Sequence, residues 1–157
     1  MSDQPRPKYV PAETGKALWG PGDLYTFLVT GEESGGALFI VECLVRPGGG
    51  PPAHTHQHEE EAFYLLEGSV TLVINGLRIL VGPGDFVHVP KKTVHSFTNE
   101  GAGPARMIAT FAPAGMEGWF GEAYDEATDR HAPAPPLTEA MLARMLEAAP
   151  KYGVEFV

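Results

Sequence analysis

The dipeptide Asn75-Gly76 separates two apolar five-residue runs, residues 70–74 (VTLVI) and 77–81 (LRILV). Asn and Gly are the residues that accept the positive φ angles of a two-residue hairpin turn, and this is the strongest short-range signal for a stretch that folds back on itself as antiparallel strands. Similar punctuation runs through much of the chain. Residues 24–30 (LYTFLVT) and 37–45 (ALFIVECLV) are rich in branched and aromatic side chains and read as strands joined by a turn over 31–36. Further strands are expected at 62–67, 86–89, 94–98 and 107–112. The chain carries 19 glycines and 15 prolines, which suit short strands and tight turns rather than a helical bundle. Two later segments differ. Residues 116–124 (MEGWFGEAY) read as a short helix. Residues 138–149 (TEAMLARMLEAA) read as a second, with Thr138 as N-cap, an apolar face of Met141, Leu142, Met145 and Leu146, and Pro150 beyond its end. No repeat of fixed period appears, and the fold class is all-β with short C-terminal helices.

Four residues carry the chemistry: His54, His56, Glu61 and His95. Side chains at i and i+2 on a strand share a face, so His54 and His56 can aim at one point. Glu61 is an odd number of residues beyond His56, and unbroken alternation would turn it away. A turn or bulge within 57–60 restores the direction. His95 must arrive from a separate strand. Any one of these histidines alone could be a scattered surface residue. Together, three imidazoles and a carboxylate form a ligand set for one divalent transition metal: manganese, iron, cobalt, nickel, copper or zinc.

The two segments that hold these residues resemble the signature motifs of the cupin superfamily. Gly48, His54, His56, Glu61 and Gly68 match the first motif, and Gly84, Pro90, His95 and Asn99 the second. The family's second motif usually has a glycine two residues after its proline, where this chain has Lys92. Residues 48–68, 111–121 and 152–157 also look like bacterial single-domain cupins described as quercetin 2,3-dioxygenase-like. The resemblance implies a double-stranded β-helix, or jelly-roll barrel, over residues 17–113. An N-terminal arm (1–16) would precede it, and a helical extension (114–157) would pack on it. It implies metal binding at His54, His56, Glu61 and His95. Glu61 has a second role in the resembling dioxygenases, taking the proton of a bound hydroxyl group. Small cupins often pair, so a homodimer is expected, with the apolar residues 154–157 as one surface for it.

If Glu61 points into the barrel, strand alternation sends Phe63 and Leu65 the same way, and Phe97 follows His95. These three are the expected pocket residues, and Leu72, Ile74, Leu77 and Ile79 are further candidates for the interior. An apolar, partly aromatic pocket suits a hydrophobic or aromatic small molecule. His58 reads as exposed among Glu59 and Glu60, and Arg46, Arg78 and Arg106 as surface ion-pair partners.

The net charge of −9 argues against nucleic acid and anionic membrane surfaces. No apolar run approaches a membrane span, and the N-terminus lacks a signal-peptide core, so a cytoplasmic location is the default. The single cysteine, Cys43, cannot form an internal disulfide and reads as an inert strand residue. Three functions fit these residues. The first is a metal-dependent dioxygenase-type oxidoreductase acting on a small enolic or aromatic, flavonol-like molecule. The second is a non-redox isomerase, decarboxylase or hydrolase using the same metal. The third is a non-catalytic metal-binding or sensor module.

Overall fold

The computed structural model describes residues 4–157. The first three residues of the expected arm lie outside the described residues. The elements are β1 (Ala17–Trp19), β2 (Asp23–Val29), a one-turn helix α1 (Gly31–Ser34), β3 (Phe39–Val45), β4 (His54–His56) and β5 (Glu60–Glu67). They continue as β6 (Val70–Ile74), β7 (Leu77–Val81), β8 (Phe86–Val89), β9 (His95–Thr98) and β10 (Ala105–Ala112). The C-terminal part holds α2 (Met116–Ala123), β11 (Asp125–Glu126), α3 (Glu139–Ala148), a 3₁₀ turn (Ala149–Tyr152) and β12 (Val154–Phe156).

The strands form two antiparallel sheets, ordered β11-β1-β2-β3-β10-β5-β8 and β12-β4-β9-β6-β7. This is the all-β jelly roll expected from the sequence. Alternation decides which side chains lie between the sheets. In β3, Phe39, Val41, Cys43 and Val45 are buried, and in β10 so are Ala105, Met107, Ala109 and Phe111. These two strands pair with Phe39 opposite Phe111 and Val45 opposite Ala105, so their inward residues form matched layers. On the other side of β10, Phe111 lies opposite Glu61 and Ala109 opposite Phe63. Glu61 therefore shares the inner face with Phe63 and Leu65, all three buried.

The hairpin forms as its turn dictates, with φ of 49° at Asn75 and 83° at Gly76 and Val70 to Ile74 paired with Val81 to Leu77. The segment read as a plain turn at 31–36 contains α1, because Thr30 and Glu33 make reciprocal hydrogen bonds that cap it. Leu77 was expected inside, yet it is 67% exposed. It follows the hairpin turn on β7, an edge strand of its sheet. Leu72 is fully buried, while Ile74 and Ile79 are packed at the margin.

Residues 114–157 supply helices and also one strand to each sheet. In α2, Met116, Trp119, Phe120 and Ala123 follow the i, i+3, i+4, i+7 spacing of a single helix face and are buried. The Phe120 ring meets Tyr25, Phe39 and Phe111 on the inner face of the larger sheet. In α3, Met141, Met145 and Ala148 are the buried stripe. Leu142 and Leu146, read as part of that face, are exposed. The Trp119 Nε1–H donates to the Met145 carbonyl at 3.2 Å and ties the two helices together. Val154, read as part of a dimer surface, is buried within the chain as part of β12. Among the described residues no helix is long and apolar enough to cross a membrane.

Candidate metal centre

His54 and His56 lie on β4, Glu61 on β5 and His95 on β9. The chain leaves the strand at residues 57–59 between β4 and β5, the interruption that the odd spacing of Glu61 requires. The four side chains converge, and their ligand atoms all lie within 4.8 Å of one another. All four residues are buried. His54 Nε2 is 3.1 Å from His56 Nε2. Glu61 Oε2 is 3.1 Å from His56 Nε2 and 2.8 Å from His95 Nε2.

The backbone sets the orientation of two rings. The Nδ1–H of His54 donates to the Pro52 carbonyl, and that of His95 to the Thr93 carbonyl, each at 2.9 Å. Carbonyl oxygens only accept, so both rings carry their proton on Nδ1 and turn Nε2 toward the cluster. The Nδ1 of His56 is buried with no partner. Lys92, at the glycine position of the second motif, has φ of 66°. It takes the left-handed turn that a glycine would take, and its N–H donates to the His56 carbonyl at 2.7 Å. The Asn99 side chain ties the end of β3 to the loop that follows β9: its Nδ2 donates to the Val45 and Gly103 carbonyls, and its Oδ1 accepts from the Gly101 N–H.

The electrostatics match a site for a cation. Burial, then repulsion from His95 and His56, brings His54 down to about 4, so its ring is a neutral donor at ordinary pH. Burial pushes the Glu61 carboxyl up, but the imidazoles of His56 and His95 outweigh it and hold the group well below the usual carboxylate range. Burial opposes charge on His95, and its hydrogen bond and attraction to Glu61 raise it nonetheless. Three imidazole nitrogens and a carboxylate oxygen thus face one point in a buried setting, where a divalent cation would satisfy all four. The donor set fits a borderline transition metal.

A cavity of about 50 Å³ adjoins the cluster, and His54, His56 and Glu61 form part of its wall. Phe63 and Phe97 line it, as the alternation predicted. Leu65 is not part of the wall and sits fully buried in the core. The sequence did not reveal the aromatic side chains that complete the enclosure: Tyr25, Phe111, Trp119, Phe120 and Phe156. The helical spacing of Trp119 and Phe120 marked them as buried, but nothing local showed what they bury against. Among the described residues no lysine or arginine contributes to the wall.

The remaining histidines, the arginines and two buried acids, Glu59 and Asp23, lie outside the cavity wall. His58 is exposed, and His88 pairs with Glu60 at 2.7 Å on the surface. Arg78 pairs with Glu100, and Arg106 with Glu42 and Glu67. Arg46 instead stacks over the Trp19 ring at 5.3 Å. Glu59 is only 4% exposed, and burial raises its pKa. Asp23 is 1% exposed. Its Oδ1 accepts from the Arg46 N–H at 3.3 Å and its Oδ2 from the Tyr25 hydroxyl at 3.4 Å. Burial pushes it up to about 7.

Residues 41–111 match the family model of the cupin domain. Over 100 residues the chain is 34% identical to quercetin 2,3-dioxygenase of Bacillus subtilis, a stretch covering 63% of this chain and 29% of that enzyme. The chain thus spans less than a third of that relative's length. Among solved structures, the polyketide cyclase RemF of Streptomyces resistomycificus superposes with a TM-score of 0.60 at 27% identity, covering 68% of this chain and 80% of RemF. An RmlC-like cupin from Shewanella frigidimarina shares the fold with a TM-score of 0.61 at 22% identity, over 74% of this chain and 98% of that one. Motif spacing, sheet order and these likenesses agree, and residues 41–111 of the chain form a cupin domain.

Proposed function

We propose that this protein is a metal-dependent, dioxygenase-type oxidoreductase acting on a small enolic or aromatic molecule of flavonol type. The observation that carries the proposal is the cavity. It joins three of the four candidate ligands to a wall rich in aromatic rings and, among the described residues, without lysine or arginine. Such a wall favours a flat, largely apolar molecule and offers nothing to a phosphorylated one. A bound divalent transition metal would supply Lewis-acid polarisation and a template for the second reactant.

The chain's own residues would do the rest. Glu61 Oε2 would accept the proton of the substrate's enol hydroxyl, leaving an enolate. Phe63 and Phe97 would flank the substrate ring, while Trp119 and Phe120 close the cavity against water. At about 50 Å³ the cavity is far smaller than the several hundred Å³ of a typical ligand pocket. An aromatic substrate would therefore enter as the α2 side chains swing outward. The likeness to a quercetin 2,3-dioxygenase supports the oxidative reading. The likeness to a polyketide cyclase supports a second, non-redox reading at the same site.

The test is oxygen uptake by metal-loaded protein given quercetin and related enols. Uptake stoichiometric with loss of the flavonol would support the dioxygenase. Turnover without oxygen uptake would favour the non-redox reading. Metal-loaded protein that consumes no oxygen with any enol refutes the dioxygenase.

A further inference from the structure

The strand that carries two of the four candidate ligands is three residues long and is poorly supported on one side. The pairing of β4 with β9 consists of one register pair, His54 opposite His95. On its other side β4 pairs along its whole length with the C-terminal strand β12: Val154 opposite His56, Glu155 opposite Thr55, and Phe156 opposite His54. Bonds at both ends extend this ladder. The Gln57 N–H donates to the Gly153 carbonyl at 2.8 Å, and the Val157 N–H to the Ala53 carbonyl at 2.9 Å. The approach at Gly153 is close. Its φ is 67°, and a Cβ there would run into the His58 ring and the Gln57 side chain.

The side chains of β12 reach the site as well. The Phe156 ring lies 6.2 Å from that of His54 and 6.4 Å from Trp119. Val154 and Phe156 both line the cavity. Between them, Glu155 points outward and is exposed.

We propose that β12 is a positioning strap for the metal centre, so that docking of the C-terminal strand and metal binding at His54 and His56 reinforce each other. The proposal rests on the metal-binding part of the function proposed above. If β12 leaves, β4 keeps one paired position and the Lys92 N–H bond to the His56 carbonyl, and the Nε2 atoms of His54 and His56 lose most of the backbone support that aims them. By reciprocity, a cation held by those atoms holds β12 in place. A strand that only covered a sheet edge would predict no such coupling.

The test uses the full-length chain and cobalt(II) as the metal probe. Glu155→Pro removes a ladder N–H without touching the cavity wall, and Glu155→Ala is its control. Cobalt affinity should fall about tenfold or more in Glu155→Pro, the range seen when a ligand loses its outer support. Glu155→Ala should stay within about twofold. In wild-type protein, amide hydrogen exchange over 154–157 should slow about tenfold on cobalt saturation, since the metal binds only the docked form. Wild-type cobalt affinity in Glu155→Pro, with its C-terminal amides unprotected, would overturn the proposal. If that variant does not fold, unchanged exchange of 154–157 in cobalt-saturated wild type overturns it alone. A wild-type chain that binds no cobalt overturns the metal-binding reading and the strap together.

Discussion

Replacing Asp23 with asparagine should make the protein more stable at alkaline pH and leave it little changed at acid pH. Asp23 is 1% exposed and accepts from the Arg46 N–H and the Tyr25 hydroxyl. Asparagine keeps both contacts: Oδ1 still accepts from the backbone, and the amide can donate to the Tyr25 hydroxyl oxygen. What it removes is a buried charge. Burial raises the Asp23 pKa from 3.8 to about 7 in the folded chain. Below about pH 4 the group is protonated in both states and costs nothing. As pH rises from about 4 to about 7, the unfolded chain releases its proton first, and the folded state loses stability progressively. Above about 7 the loss is complete, and a pKa raised by about three corresponds to about 4 kcal/mol. Urea unfolding of metal-free wild type and variant, at several values from about pH 4.5 to about pH 8.5, reads this directly. Groups common to both proteins cancel in the difference. The variant's advantage should grow with pH and level off near the top of the range. A difference that stays constant across the range would refute a buried, proton-holding Asp23.

Two further substitutions test the packing around the site. Phe63 is 2% exposed and meets Phe97 edge-on with ring centres 5.7 Å apart, so Phe63→Ala should cost about 3–5 kcal/mol in urea unfolding; a loss below about 1 kcal/mol would mean that this wall is not close-packed. Gly50 has φ of 125°, and a Cβ there would run into the Phe97 carbonyl, so Gly50→Ala should cost at least about 2 kcal/mol by the same assay. Unchanged stability would show that the loop ahead of β4 is free to shift.

The part of this molecule that was legible in the sequence is the part governed by local rules. Strand alternation placed Glu61 with Phe63, and His95 with Phe97, because side-chain direction along a strand has a fixed period. The odd step from His56 to Glu61 demanded an interruption, and the chain supplies one at residues 57–59. Thr138 caps α3 because its hydroxyl accepts from the Met141 N–H, a contact three residues away. What stayed hidden depends on distant partners. Val154 to Phe156 form a strand only because β4 offers them an edge nearly a hundred residues earlier in the chain. Trp119 and Phe120 wall the cavity because α2 folds over the larger sheet, which no local pattern encodes. Glu59 and Asp23 are polar residues that composition assigns to the surface, yet the segments around them bury both. Leu77 fails in the opposite sense, apolar by type and exposed by its place on an edge strand.

The central claim is that His54, His56, Glu61 and His95 hold one metal ion. Elemental analysis of freshly purified protein, beside the His56→Ala/His95→Ala double variant, tests it most directly. About one transition-metal ion per wild-type chain, lost in a variant that keeps its β-sheet circular dichroism, is the expected result. Equal metal content in both proteins, or none in wild type after reconstitution, would contradict it.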